Sequence, residues 1–406
     1  MPWKETCAVR ERMRFVSEME VGEVSFSELC QRYAISRETG YKWCARYAAE
    51  GPRGLEDRSR ARHTQSEATS SAMCAAIVDL RARHPSWGPK KLRAKLMALQ
   101  PEVDWPAQST IGDVLKRRGL VVPRRRRLRV AASGGELHAC ARANDVWGID
   151  FKGWFRTGDG RRCEPLSLSD LTTRYVLRLQ AVERTRFKEI WPLLEAAFRE
   201  FGLPRAIRSD NGPPFAGAGA GGLSRLAVNV IKAGVVPERI APGRPQQNGR
   251  HERLHLTVQL ETASPPASSW RGQQQRFDAF TRMFNEERPH EALAQTPPAA
   301  HYSASERAYH GLRSPEYGDG DEVRRVRPKG DIPWGGAHVF IGEAMAGEPI
   351  ACTPIAEDRW RVRYGDVELG IIDSKGRFEA TRTGARHKTT EPPSPPGGKS
   401  VNHVPG

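Results

Sequence analysis

The stretch Arg208-Ser209-Asp210-Asn211-Gly212-Pro213-Pro214-Phe215 decides how this chain reads. After a Gly/Ala-rich insert it continues as Pro245-Gln246-Gln247-Asn248-Gly249-Arg250-His251-Glu252-Arg253-Leu254-His255. Asp210 sits in a turn directly after the short strand pattern Pro204-Arg205-Ala206-Ile207-Arg208, and Glu252 sits in the first turns of a helical pattern. A third carboxylate, Asp150, lies upstream in the apolar strand pattern Trp147-Gly148-Ile149-Asp150-Phe151. Alone, Asp210-Asn211-Gly212 reads equally well as a plain turn, and Glu252 as a surface helix residue. Asp150 is harder to dismiss, because an unpaired carboxylate in an apolar strand is expensive and metal coordination removes that cost.

Around these acids, residues 141–300 read as a ribonuclease H-like mixed-sheet core. Strand patterns at 146–151, 163–168 and 175–182 surround a Gly158-Asp159-Gly160 hairpin turn. An amphipathic helix over 187–201, the short strand before Asp210, a helix over 223–233 and a strand at 238–240 follow, then helices over 248–262 and 270–287. The order βββαβαβαα can bring all three acids to one edge: Asp150 lies mid-strand, Asp210 directly follows a strand at the carboxyl end of the sheet, where α/β sites gather, and Glu252 lies on a helix packed against the same sheet. Hard oxygen ligands with no His or Cys cluster point to Mg²⁺ or Mn²⁺, in two ions, and away from zinc. Two such ions can clamp a phosphodiester.

Upstream, residues 1–62 read as a helix-turn-helix unit. Ser36 caps a helix carrying Arg37, Thr39, Lys42 and Arg46, types suited to base edges and phosphates; Gly40 weakens that helix. A second helix-turn-helix-like unit spans 63–122, with a basic helix bearing Lys90 and Lys91 and a last helix capped by Ser109. A basic linker, 123–140, contains Arg124, Arg125, Arg126 and Arg127, which suit phosphate contacts. Downstream come a linker at 301–320, a small β-barrel-like domain at 321–382 and a disordered Pro/Gly/Ser/Lys-rich tail at 383–406. The β-barrel-like domain reads equally as a nonspecific DNA contact and as a purely structural module. The fold class is thus multidomain α/β.

The formal net charge of +16 over 406 residues suggests a polyanionic partner, with nucleic acid the default. Seven scattered cysteines with no CxxC pair exclude a disulfide framework and indicate a reducing compartment. There is no signal-peptide pattern at Met1-Pro2-Trp3-Lys4-Glu5, and no apolar run approaches the roughly 20 residues needed to cross a bilayer. A cytoplasmic, nucleoid-associated protein with no membrane partner is expected.

At Trp147–Phe151, Ser209–Phe215 and Pro245–His255 the chain resembles the catalytic core of retroviral integrases and bacterial insertion-sequence transposases, the D,D-E family. Phe284-Asn285-Glu286-Glu287-Arg288-Pro289-His290-Glu291-Ala292-Leu293 resembles the family's segment after the catalytic helix. The resemblance implies that Asp150, Asp210 and Glu252 are both catalytic residues and metal ligands. It implies cleavage at element ends followed by attack of the 3′-hydroxyl on target DNA, with terminal inverted repeats and target DNA as partners and a homo-oligomer holding two ends. Beside Glu252, Arg250, Arg253 and His255 are candidate DNA contacts, as is Lys152 beside Asp150; Asn248 reads as a helix cap. Two features depart from the family. The 41 residues between Asp210 and Glu252 exceed the spacing of many members, with the excess expected in a flexible loop at 216–222. The amino-terminal His/Cys zinc motif of retroviral integrases is absent. The alternatives are a catalytically silent DNA-binding regulator derived from a transposase, and a nuclease that cuts without joining. The three acids argue against the first and the helix-turn-helix units against the second.

Overall fold

The computed structural model describes residues 7–58, 69–121, 137–241 and 249–381, the side chain of Arg250 excepted. Contacts divide the chain into two compact units, residues 1–69 and 70–406.

In the first unit, α1 (Ala8–Val21), α2 (Phe26–Arg32) and α3 (Arg37–Glu50) close around Phe15, Val16, Leu29, Cys30 and Leu55. Ser25 caps α2, accepting from Glu28 N at 3.3 Å, and Ser36 caps α3, accepting from Thr39 N at 3.1 Å. A tight turn joins the two, with Ala34 at φ 52°. Gly40 is a packing requirement more than a helix weakness. A Cβ there would lie 2.8 Å from Cys30 Sγ and 2.9 Å from both Phe15 and Phe26, so only glycine lets α3 approach this closely.

The second unit begins with α4 (Ser71–Arg83), α5 (Pro89–Leu99) and α6 (Gln108–Arg117), packed around Ile77, Leu80, Trp87, Leu92, Ile111 and Leu115. Ser109 is not the cap expected for α6: Ala107 occupies that position and Ser109 lies inside the first turn.

The core sheet is built from β1 (Val146–Phe151), β2 (Phe155–Arg156), β3 (Arg162–Asp170), β4 (Val176–Val182), β5 (Ala206–Ser209) and β6 (Val236–Arg239). Its order is β4-β3-β1-β5-β6, antiparallel through β4-β3-β1 and parallel through β1-β5-β6, with β2 a short hairpin on β3. Helices α7 (Phe187–Phe201) and α8 (Arg225–Lys232) contribute Ile190, Leu194, Phe198, Leu226 and Val230 to one buried layer. Helices α9 (Gly249–Thr262) and α10 (Trp270–Glu286) supply Leu254, Val258, Phe277, Phe280 and Phe284 to another, against Val176 and Leu179.

Residues 301–320, expected as a linker, form a strap along this core. Tyr302 stacks on Tyr175 at 4.3 Å and donates to Asn144 Oδ1, while Arg307 donates to the carbonyls of Pro204 and Gly234. Beyond it, β7 (Glu322–Arg325), β10 (Pro349–Ala356), β11 (Arg359–Tyr364), β12 (Val367–Asp373) and β13 (Phe378–Ala380) make a five-stranded antiparallel sheet, and β8 (Asp331–Trp334) pairs with β9 (Ala337–Phe340) in a separate hairpin.

The glycine-rich insert at 216–222 is not slack. Ala216 bridges Leu223, and Ala220 N donates to Ile341 O at 2.8 Å. Arg239 donates to the carbonyls of Gly221 and Gly222. Ala220 and Leu223 share one buried cluster with Ile341, Ile350, Tyr364 and Leu369 of the β-rich module. The glycines permit this close approach: a Cβ on Gly217 would sit 2.2 Å from Leu223 O, and one on Gly219 would sit 3.0 Å from Gly342 Cα. Gly217→Ala is expected to destabilise the second unit by about 2 kcal/mol, as overpacking against fixed backbone does. Limited proteolysis should then release the β-rich module faster; unchanged proteolysis would show that the insert carries no load.

Candidate active site

Strand register sets the first two acids. β1 and β5 run parallel with Gly148 opposite Arg208. Two residues further along each strand lie Asp150, the next-to-last residue of β1, and Asp210, the first residue after β5. Both therefore emerge at the carboxyl edge of adjacent strands. Their backbones are also clamped: Phe151, beside Asp150, stacks on Phe215 at 5.4 Å. Asp210 Oδ1 accepts from Gly212 N at 3.1 Å, closing the turn, and Asn211 Nδ2 donates to Ile240 O at 2.7 Å. Asp150 Oδ1 accepts from Phe151 N at 2.8 Å.

Helix α9 lies against this edge through two histidines, His251 and His255, one turn apart on the buried side. His255 Nε2 meets Ser167 Oγ at 2.8 Å and its Nδ1 lies 3.9 Å from Asp150 Oδ2. His251 Nδ1 meets the same hydroxyl at 3.3 Å. Ser167 is the cross-strand partner of Asp150, and its hydroxyl also donates to Asp150 O at 3.3 Å. Burial pushes both imidazoles down, His251 to about 3 and His255 to about 4, so both are neutral at physiological pH. The His251 ring rests on Gly148, where a Cβ would lie 2.0 Å from Nε2. Among the described residues, Asp150, His251 and His255 form a group whose ligand atoms lie within 4.8 Å of one another.

The third acid is placed differently. Glu252 is in the first turn of α9 and is exposed, because His251, Leu254, His255 and Val258 occupy the side of the helix that faces the sheet. His255, expected beside Glu252 as a phosphate contact, is instead buried against Asp150 and Ser167. Its spacing from His251, not from Glu252, decides its face.

The other candidate DNA contacts divide. Arg37 and Lys42 on α3 are exposed. Thr39 is engaged by Ser36, and Arg46 donates to Glu56 O and covers Trp43. Lys90 pairs with Glu291 at 2.8 Å and Lys91 donates to Pro289 O, so this part of α5 grips the chain's own segment after α10 instead of standing free. Arg253 is exposed, and Lys152 is half-buried with its backbone N–H on Pro165 O. Arg124, Arg125, Arg126, Arg127 and Asn248, and the side chain of Arg250, lie outside the described residues, as does the 383–406 tail.

Sequence reading missed the support of β5. The Arg208 guanidinium is buried on Glu238 of β6, with Nη2 3.0 Å from Oε2, and it also donates to His138 O. His138 reaches Glu238 through both its backbone N–H and its ring. Burial alone would raise the Glu238 carboxyl; contacts from His138 and Arg208 outweigh it and hold the carboxyl below its ordinary value. Removing one partner of such a pair leaves an uncompensated buried charge, so Glu238→Ala should cost about 3–5 kcal/mol at pH 7. A depressed carboxylate stabilises fully above its unfolded pKa and loses that contribution as pH falls through the folded one. The gap between wild type and variant in urea unfolding should therefore narrow at acid pH. A gap that stays constant would contradict the assignment.

Helix-turn-helix units and an integrase-like mixed-sheet core make up the chain's recognisable parts. Residues 11–63 match the family model of a helix-turn-helix domain, residues 39–115 that of a homeodomain-like domain, and residues 233–298 that of an integrase core domain. A 39.2 kDa protein of insertion element IS476 from Xanthomonas euvesicatoria is 28% identical over 243 residues, covering 57% of this chain and 64% of that protein. A 31.7 kDa protein of insertion element IS407 from Burkholderia multivorans is 27% identical over 252 residues, covering 59% of this chain and 83% of that protein. The chain thus spans less than two thirds of the length of the Xanthomonas relative. Among solved structures, the HTLV-2 integrase catalytic core in complex with magnesium matches at 15% identity and TM-score 0.29, over 40% of this chain and 98% of that one. The simian T-cell lymphotropic virus intasome matches at 14% identity and TM-score 0.33, over 75% and 99%. The chain thus carries helix-turn-helix and integrase core segments and is similar to proteins of insertion elements. No helix among the described residues is long and apolar enough to cross a membrane.

Proposed function

We propose that the chain is a transposase that binds the ends of an insertion element, cleaves there, and joins the freed 3′-hydroxyl to target DNA. The observation that carries this reading is the parallel β1–β5 register, which delivers Asp150 and Asp210 to one edge. In this reading Asp150 and Asp210 would offer hard oxygens beside that edge, and Glu252, exposed in the first turn of α9, would complete the donor set. Such a set suits Mg²⁺ or Mn²⁺ better than zinc. Two bound ions there would stabilise the charge of attacking and leaving oxygens. The neutral His255 and Ser167 hold the Asp150 segment from the protein side, and His251 seats α9 on Gly148, with Glu252 exposed on the helix. Arg37 and Lys42 on α3 and Arg253 on α9 supply contacts to bases or phosphates, with Arg124–Arg127 and Arg250 as further cations. The β-rich module, read as barrel-like, adds sequence-independent contact. Holding two ends requires a homo-oligomer on DNA, and the site of action is cytoplasmic, on the nucleoid.

The test incubates the full chain with Mg²⁺, labelled element ends and a target plasmid. Strand-transfer products that vanish in Glu252→Gln with binding retained support the proposal. Binding without cleavage in wild type would favour a silent regulator, and cleavage without joining a nuclease.

A further inference from the structure

Beside the start of α9, a cavity of about 510 Å³ opens between α5, the turn after β3, and the segment after α10. That volume lies within the range of small-molecule sites, about 300–1,000 Å³. Lys91, Arg174, Arg253 and Arg288 line it, with His290 and an apolar wall of Leu171, Leu254 and Phe284. Two acids also line it, and both are engaged. The Asp170 carboxylate is fully buried and accepts from the N–H groups of Asn144, Thr172 and Thr173 and from Thr173 Oγ1. Glu291 pairs with Lys90 at 2.8 Å. Arg288, nearly buried, pairs with Glu261 at 2.7 Å, and its guanidinium lies over the Phe284 ring. Arg253 makes no ion pair with any described residue and is exposed.

We propose that this cavity receives one nucleotide of an unpaired DNA strand, its phosphate on Arg253 and on Lys91, whose ammonium also donates to Pro289 O, and its base against Phe284. This rests on the transposase reading above. Four cations, Lys91, Arg174, Arg253 and Arg288, line the wall against two acids, Asp170 and Glu291, so an anion is the complementary ligand. A bare phosphate would leave the apolar wall and most of the volume unused, whereas a base fills both. A base still stacked in duplex cannot enter, so the nucleotide must be extruded or already unpaired. The internal state of the cavity agrees. His290 Nε2 is buried with no hydrogen-bond partner among the described residues. Burial, then Lys91, Arg288 and Arg174, push its ring down to about 3, leaving it neutral and able to hydrogen-bond a base edge. Burial and Arg288 push Lys91 down to about 8, a value an incoming phosphate would raise again. The cavity shares the first turns of α9 with Glu252, so an extruded nucleotide would fix the strand on which that helix acts.

The test uses the full chain in EDTA, so that binding is read without chemistry. Fluorescence anisotropy compares a fully paired duplex with the same duplex carrying one unpaired 2-aminopurine nucleotide. Wild type should prefer the unpaired duplex by about tenfold, with a change in 2-aminopurine emission. Arg253→Gln and Lys91→Gln should each cut the preference to under about threefold while weakening paired-duplex binding only as one lost phosphate contact does. Arg253 is exposed, so its variant keeps the fold even if Lys91→Gln does not. Equal wild-type affinity for both duplexes, or a preference retained in Arg253→Gln, would overturn the proposal. So would saturation by a free nucleoside monophosphate that leaves the duplex preference intact, since that assigns the cavity to a small metabolite. Loss of strand transfer with the preference intact would instead count against the enzymatic reading alone.

Discussion

Asp150→Asn is expected to lower strand-transfer product by about a thousandfold or more, because on the proposed reading it removes a metal ligand that contributes several kcal/mol to the transition state. The fold should survive. Asn keeps the shape, and its side chain can still take the hydrogen bond from Phe151 N that Asp150 Oδ1 now accepts. Removing a partly buried charge relieves desolvation. DNA binding should also survive, because affinity for the phosphate backbone comes from the positive surface of a chain with net charge +16. The checks are a strand-transfer gel, a thermal melt and a filter-binding titration on the same preparation. Product near wild-type level would remove Asp150 from the chemistry.

Gly148→Ala should have the largest effect on the fold for the smallest change. The added methyl carbon would lie 2.0 Å from His251 Nε2 and 2.7 Å from Leu171 Cδ2. Neither neighbour can yield freely, since His251 is fully buried on α9 and held by Ser167. We expect a loss of about 3 kcal/mol, the upper end for overpacking, and a marked loss of strand transfer as α9 and Glu252 shift from the sheet edge. Adding His251→Ala should restore part of the stability, since the two residues share one contact. Denaturant melts of the two single variants and the double variant measure this coupling. Purely additive losses would show that the ring and the glycine do not restrain each other.

Much of the core was legible because its signals were local. The alternation around Tyr175–Val182, the amphipathic run ending at Phe201 and Gly202, and the strand-then-turn at Asp210 each carry their own period or stop. What remained hidden depends on partners far along the chain. Nothing near 216–222 announces that its glycines seat against Gly342 and Leu369, so a run of small residues reads as a loose loop. Lys90 and Lys91 look like a basic surface until Glu291 and Pro289 take them. His255 was assigned by its distance from Glu252, although the two histidines at 251 and 255 already marked one helix face. The glycine inside the apolar strand at 148 was the missed cue: a strand glycine often marks close approach of another group, and here that group is His251.

On the proposed reading carboxylates, and not the two histidines, hold the divalent ion. Pulsed electron paramagnetic resonance of Mn²⁺ bound to the full chain tests it directly, because a coordinated imidazole imprints nitrogen coupling on the manganese signal. The expected result is no imidazole coupling, with loss of Mn²⁺ binding in both Asp150→Asn and Asp210→Asn. Strong nitrogen coupling that disappears in His255→Ala, with binding intact in Asp210→Asn, would place the ion among Asp150, His251 and His255 and contradict it.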